Sequence, residues 1–164
     1  MEHHTESPAG VSFHELFGYT DFLAHRWIAY FRQNPAALEI DIGGKAGTLG
    51  ELVVHIFDVE RYFANKLDGS AVTFKKLDSA NFDALQQAHL TAYQQLLNFA
   101  ETATADRFAA KQDFGPAKGV TARKMLTQAA LHSVHHWAQV AMAVRQAGFP
   151  TDRPQDIIIS DVME

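Results

Sequence analysis

The run TARKMLTQAALHSVHHWAQVAMAVRQA, residues 121–147, decides how this chain folds. It contains neither Gly nor Pro, Thr121 opens it, and Gly148 and Pro150 stop it, so it reads as one long helix. Within it, His132-Ser133-Val134-His135-His136 offers two histidine pairs, one spaced by four residues and one by three, and either spacing can put two imidazoles on one side. At about 100° per residue, His132 and His136 lie about 40° apart, in a sector with Met125, Ala129, Val140 and Ala143 that is expected to face a core. His135 projects about 60° to the other side of His132, with Gln128, Gln139 and Gln146, and is expected to face water. A second apolar side, formed by Ala130, Val134, Trp137 and Ala141, is turned more than about 100° from the histidines. One core cannot easily cover both sides, so the tail around Ile157 to Ile159 or a two-fold homodimer is expected to cover the second.

Working outward, Gly and Pro cut the rest of the chain into three more helical pieces. The first runs from about Ser12 to Gln33, with Ser12 and Glu15 as a capping box and Asn34-Pro35 as the stop. Thr48 and Glu51 form a second capping box, opening a helix that ends near Leu67, before Asp68-Gly69. Ser79, Asn81 or Asp83 caps a third, which runs to about Thr102. Thr104 to Gly119, with Phe114, Gly115 and Pro116, reads as an irregular crossover. The expected fold is therefore all-α: an antiparallel four-helix bundle with a long crossover between helices three and four. Length and a 47% hydrophobic content suit a single domain over residues 1–164, of which about 1–11 form a flexible N-terminus.

Composition excludes several function classes. A net charge of −5, a pI near 6.0 and the absence of clustered Lys or Arg leave no footprint for nucleic acid. No stretch is long enough to span a membrane, and the start, with Glu2 and Glu6, is not a signal peptide, so the cytoplasm is expected. With no cysteine there is no disulfide, no thiolate zinc site and no thiol nucleophile of the protein's own, so any thiol chemistry must borrow its thiol.

The second helix adds His55, on the side of Leu52, Val59 and Phe63. One inward-facing histidine is more often a hydrogen-bonded core residue than a ligand. Three of them on two helices need partners for their ring nitrogens, and a divalent transition metal such as zinc or nickel satisfies three at once. His55, His132 and His136 are thus the expected metal ligands. Ser133 stands where a zincin helix carries Glu, so a built-in protease base is missing. Three protein nitrogens leave a coordination position open for a small-molecule ligand.

Three segments carry a resemblance: Tyr19 through Ile28, with His25, in helix one, Thr48 through Tyr62 in helix two, and His132 through Gln139 with the ending up to Pro150 in helix four. In these the sequence resembles the DinB (DinB/YfiT-like) superfamily of metal-binding four-helix bundles. The resemblance implies that the helix-two histidine and the helix-four pair four apart bind the metal, which carries that role onto His55, His132 and His136. It also implies, for part of the superfamily, a metal-dependent transferase using a low-molecular-weight thiol, and frequent dimers. The alternatives are a non-catalytic metal-binding or stress-response protein and a metal-dependent hydrolase. His25 stands where many members have Asn, and can be a fourth ligand, a group behind the ligands or a core residue. Members often read His-Arg-Gly-Gln, where Trp137 and Ala138 here separate His136 from Gln139. The missing Arg leaves Arg26, Arg61 and Arg145 as substitutes for meeting an anionic substrate.

Other conspicuous residues have plain readings. His3 and His4 fall in the polar terminus, and His14 and His89 read as surface residues. Glu51 is a cap or a partner for the His55 ring, and Asp58 and Glu60 are similarly ambiguous. Phe13, Phe17, Phe22, Trp27, Tyr30 and Phe31 read as core before pocket.

Overall fold

The computed structural model describes residues 10–45, 47–72, 75–114, 116–151, 156, 158 and 160–162. It is mostly helical: α1 spans Phe13–Gln33, α2 Leu49–Asp68, α3 Phe82–Thr102, the short α4 Ala105–Ala109, and α5 Ala122–Gln146. Both expected capping boxes form. Glu15 N donates to Ser12 Oγ at 3.2 Å while Ser12 N donates to Glu15 Oε2 at 2.6 Å, and Thr48 with Glu51 repeats the exchange at 3.3 and 2.9 Å. Of the three candidates before α3, Asn81 is the cap, accepting from Ala84 N at 3.1 Å. Gly69, at φ 80°, takes the left-handed conformation that ends α2.

The Thr104–Gly119 crossover is not irregular. Thr104 caps α4, and β1 (Lys111–Phe114) pairs antiparallel with β2 (Ala117–Thr121) to lead into α5. What holds this hairpin is distant in sequence: the Phe114 ring stacks on Phe63 of α2 at 5.1 Å and meets Tyr62 at 5.5 Å. A second, smaller hairpin of residues 41–43 and 47–48 precedes α2.

Helices α1 and α2 each pack against both α3 and α5. The core divides into two apolar clusters, one around Trp27, Phe31, Phe57 and Trp137, the other around Phe17, Phe63, Leu96 and Leu126. Phe17, Trp27, Tyr30 and Phe31 are core residues, as expected. On α5 the buried arc runs through Ser133, Trp137, Val140 and Val144, all with 0% exposure. Ala130 and Trp137 on the second apolar side are therefore core, and Val134 and Ala141 beside them are half-buried, so that side needs no homodimer to cover Trp137. His132 and His136 sit about 100° and about 60° from the Ser133 direction, at the margin of the buried arc. The centre of the arc was hard to see because it is a serine, which tolerates burial here by donating its Oγ–H to Glu60 Oε1 at 2.7 Å.

Of the tail, Ile158 is 87% exposed, whereas Ile157 and Ile159, like His3 and His4, lie outside the described residues. Among the described residues no helix is long and apolar enough to cross a membrane.

Candidate metal centre

His55 comes from α2, and His132 and His136 from α5, where these two helices pack together. The capping box at Thr48 fixes where α2 begins and thus where His55 points, while Leu52 and Ile56 beside it are buried. On α5, the buried Trp137 lies parallel to Trp27 at 6.1 Å and edge-on to Phe57 at 5.7 Å, which sets the rotation of the helix. One ring nitrogen from each of His55, His132 and His136 then falls within 4.8 Å of the other two. The ring centroids are 5.0, 5.1 and 4.3 Å apart.

The three are not buried in the core. His55 is exposed, about 140° from the Glu60 direction at the centre of the α2 buried arc, and the α5 pair is half-buried. The expectation of an inward-facing His55 is corrected: the histidines converge at the rim, where a ligand reaches them from solvent.

The donor set fits a metal ion. His55 Nε2 and His132 Nε2 are 3.2 Å apart, close to the roughly 3.3 Å between two ligands of a tetrahedral ion with bonds of about 2.0–2.1 Å. Burial, together with the neighbouring His136 and His55 rings, pulls the His132 pKa down to about 4. Burial and His136 also lower that of His55, against the pull of Asp58. Both rings are thus neutral near pH 7, the form that ligates. The buried His132 Nδ1 has no hydrogen-bond partner, so the polar capacity of that ring is directed through Nε2 into the triad.

His136 is held from behind. Its Nδ1–H donates to Gln139 Oε1 at 2.6 Å, which leaves the Nε2 lone pair for the site. Gln139 Nε2–H in turn donates to His135 Nε2 at 3.2 Å, so His135 supports the triad without joining it. Glu51 is occupied as the cap of α2, and Asp58 pairs with Arg61 at 3.0 Å.

A cavity of about 900 Å³ opens beside His55 and His136. Ile40, Ile42, Leu52, Met142 and Ala143 give it an apolar wall, while Asp41, Lys45 and Gln139 add polar groups. Its cation is Lys45, not one of the three arginines considered from sequence: Arg61 is tied to Asp58, and Arg26 lies over the Phe22 ring at 5.1 Å.

A second polar cluster was missed. His89, read as a surface residue, is 1% exposed, and Glu60 is 4% exposed. His89 Nδ1–H donates to Glu60 Oε2 at 2.7 Å, and His89 Nε2 lies 3.0 Å from Asp21 Oδ1. With Ser133 these residues form one chain of contacts across α5, α2, α3 and α1, at the level where the two apolar clusters meet. Burial opposes charge on His89, but the Glu60 carboxylate and the bonds to Asp21 and Glu60 outweigh it and raise the pKa to about 9. Glu60 and His89 were traceable as polar residues spaced like their buried neighbours, Phe57 and Phe63 on α2, Leu85 and Ala92 on α3. His25 joins Asp21 and His89, not the triad.

No curated protein matches the chain. The model of the DinB family matches residues 18–155, a span that holds all three triad histidines and both helices that carry them, and the chain accordingly belongs to the DinB family.

Proposed function

We propose that this protein binds a divalent transition-metal ion, zinc or nickel, through His55, His132 and His136, and acts as a metal-dependent transferase on a low-molecular-weight thiol. An antiparallel four-helix bundle is the arrangement that the α1, α2, α3 and α5 contacts support. The observation that carries the reading is the convergence of three imidazoles at the edge of a cavity of about 900 Å³. A divalent metal there supplies Lewis acidity that favours the thiolate form of a bound thiol near neutral pH.

The chain's own residues do the rest. His55, His132 and His136 supply three imidazole donors and leave room for an external ligand. Gln139 fixes the tautomer and orientation of His136. Ile40, Ile42, Leu52 and Met142 offer an apolar surface to an electrophilic substrate, and Lys45 offers a positive charge to an anionic group of the thiol. Hydrolysis is less well supported, because Glu51 and Asp58, the carboxylates nearest His55 in sequence, are engaged as a helix cap and in an ion pair.

The test uses untagged protein, with metal content measured by mass spectrometry and turnover of an electrophilic model substrate followed with glutathione, bacillithiol, mycothiol and no thiol. Thiol-dependent turnover that disappears in His132→Ala is the expected result. Metal bound stoichiometrically with no turnover by any thiol leaves a metal-binding protein and rejects the transferase.

A further inference from the structure

Outside the triad, one ring nitrogen each of His25 and His89 and one carboxylate oxygen of Asp21 also lie within 4.8 Å of one another. Asp21 and His25 are a turn apart on α1, and His89 faces them from α3. His89 Nε2 is 3.0 Å and His25 Nδ1 3.2 Å from the same oxygen, Asp21 Oδ1. Such separations suit a charged hydrogen bond, and equally the edge of a coordination shell with bonds of about 2.0–2.2 Å.

The far side of His89 favours the second use. Its Nδ1–H donates to Glu60 Oε2 at 2.7 Å, and Glu60 is steadied through its other oxygen by Ser133 Oγ at 2.7 Å. A carboxylate behind one ring nitrogen fixes the tautomer, makes the other nitrogen more basic, and is the usual support of a metal-bound histidine. Here that other nitrogen points at a carboxylate and a second histidine. Access is graded to match, since the side chains of His25, Asp21 and His89 are 43%, 28% and 2% exposed, so that one ligand is anchored in the core and the others open to solvent.

We propose that Asp21, His25 and His89 form a second site for a divalent first-row transition-metal ion, with Glu60 and Ser133 as the positioning residues behind His89. Two imidazole nitrogens and one carboxylate oxygen with open positions make a harder donor set than the all-imidazole triad, suited to iron(II), manganese(II) or cobalt(II) as well as zinc. In the metal-free protein a proton lies between His89 Nε2 and Asp21; the ion takes its place, and that proton leaves to solvent. His25 Nδ1 also lies 3.0 Å from the Asp21 carbonyl oxygen, a contact given up if Nδ1 is the ligating nitrogen. Ser133 stands between His132 and His136 on α5, so the two sites are joined through one short chain of contacts.

Cobalt(II) is the probe. Untagged, chelator-treated protein is titrated without oxygen, and bound cobalt is counted by equilibrium dialysis and followed by its visible spectrum. Wild type is expected to take up two ions per chain, His132→Ala one, His25→Ala one, and the double variant none. His25 is exposed, so its replacement leaves the core intact, and Asp21→Asn provides an independent check. Wild-type uptake that neither His25→Ala nor Asp21→Asn reduces, whether it saturates at one ion or two, overturns the proposal. Failure of the triad is a separate result, read as unchanged uptake in His132→Ala.

Discussion

His132 has no hydrogen-bond partner at its buried Nδ1, whereas His136 has Gln139 at 2.6 Å, so the two α5 rings are held with unequal firmness. Replacing His55, His132 or His136 by Ala is expected to remove most of the metal bound at the triad, while His135→Ala keeps it, as measured by dialysis in the His25→Ala background. Equal retention in all four variants would sink the assignment. Gln139→Leu keeps every ligand but frees the His136 ring, and should weaken metal affinity by roughly 10–100-fold; unchanged affinity would show that the amide does not orient the ring. The convergence of His55, His132 and His136 was legible from sequence because four-residue spacing on a helix can place two side chains together, and the family resemblance singled out that pair and brought His55 to it. Gln139 was misread as merely wet, since its distance from His136 says nothing of which amide atom meets which ring. Glu60 and His89 stayed hidden for another reason: each is a polar residue whose burial is tolerable only because the other helices bring it partners, and the partly exposed Asp21 is tied to them through His89.

Helix α2 illustrates what local chemistry can specify. Its box at Thr48 and Glu51 was readable because all the partners lie within one turn, and the same turn sets the direction of His55. Thr48→Ala should cost about 1 kcal/mol of stability, seen as a lower urea midpoint, and should also loosen metal binding by letting the first turn fray. A variant with the midpoint reduced but metal affinity untouched would show that Leu52 and Ile56 alone hold the register of His55. Elements that depend on distant partners were not readable in the same way. The β1–β2 hairpin is held by Phe114 against Phe63, and the buried arc of α5 is centred on Ser133 because Glu60 stands opposite it, 73 residues earlier. Periodicity on α5 alone gave two apolar sectors and no means of choosing between them.

For the whole molecule, metal and protons compete for the same polar groups. An ion bound only by the folded chain should stabilise it by about 2.7 kcal/mol at a free concentration of 100 times the dissociation constant, and chelator-treated protein should remain helical because both apolar clusters are formed by side chains alone. The pH dependence of that metal-free form follows from three histidines. His132, with its pKa lowered from 6.5 to about 4, and His55, also lowered, stay neutral in the fold while the unfolded chain takes up protons, so stability declines as pH falls from 6.5 toward 4. His89 works the other way. Its pKa is raised from 6.5 to about 9, so its contribution is fully present below pH 6.5 and is lost as pH rises through about 9. The groups that face it are Glu60 of α2, Asp21 and His25 of α1 and Tyr93 of its own helix, and the two carboxylates set the sign. A shift of that size corresponds to about 3 kcal/mol, enough to dominate the alkaline side. Urea unfolding of chelator-treated protein should therefore give a stability maximum near pH 6.5. His132→Ala should flatten the acid limb and His89→Gln the alkaline limb, whatever either does to the absolute stability. Stability that keeps rising from pH 6.5 to 9 would mean that His89 is neutral in the fold, and that Glu60 and Asp21 are not both drawing on its charge.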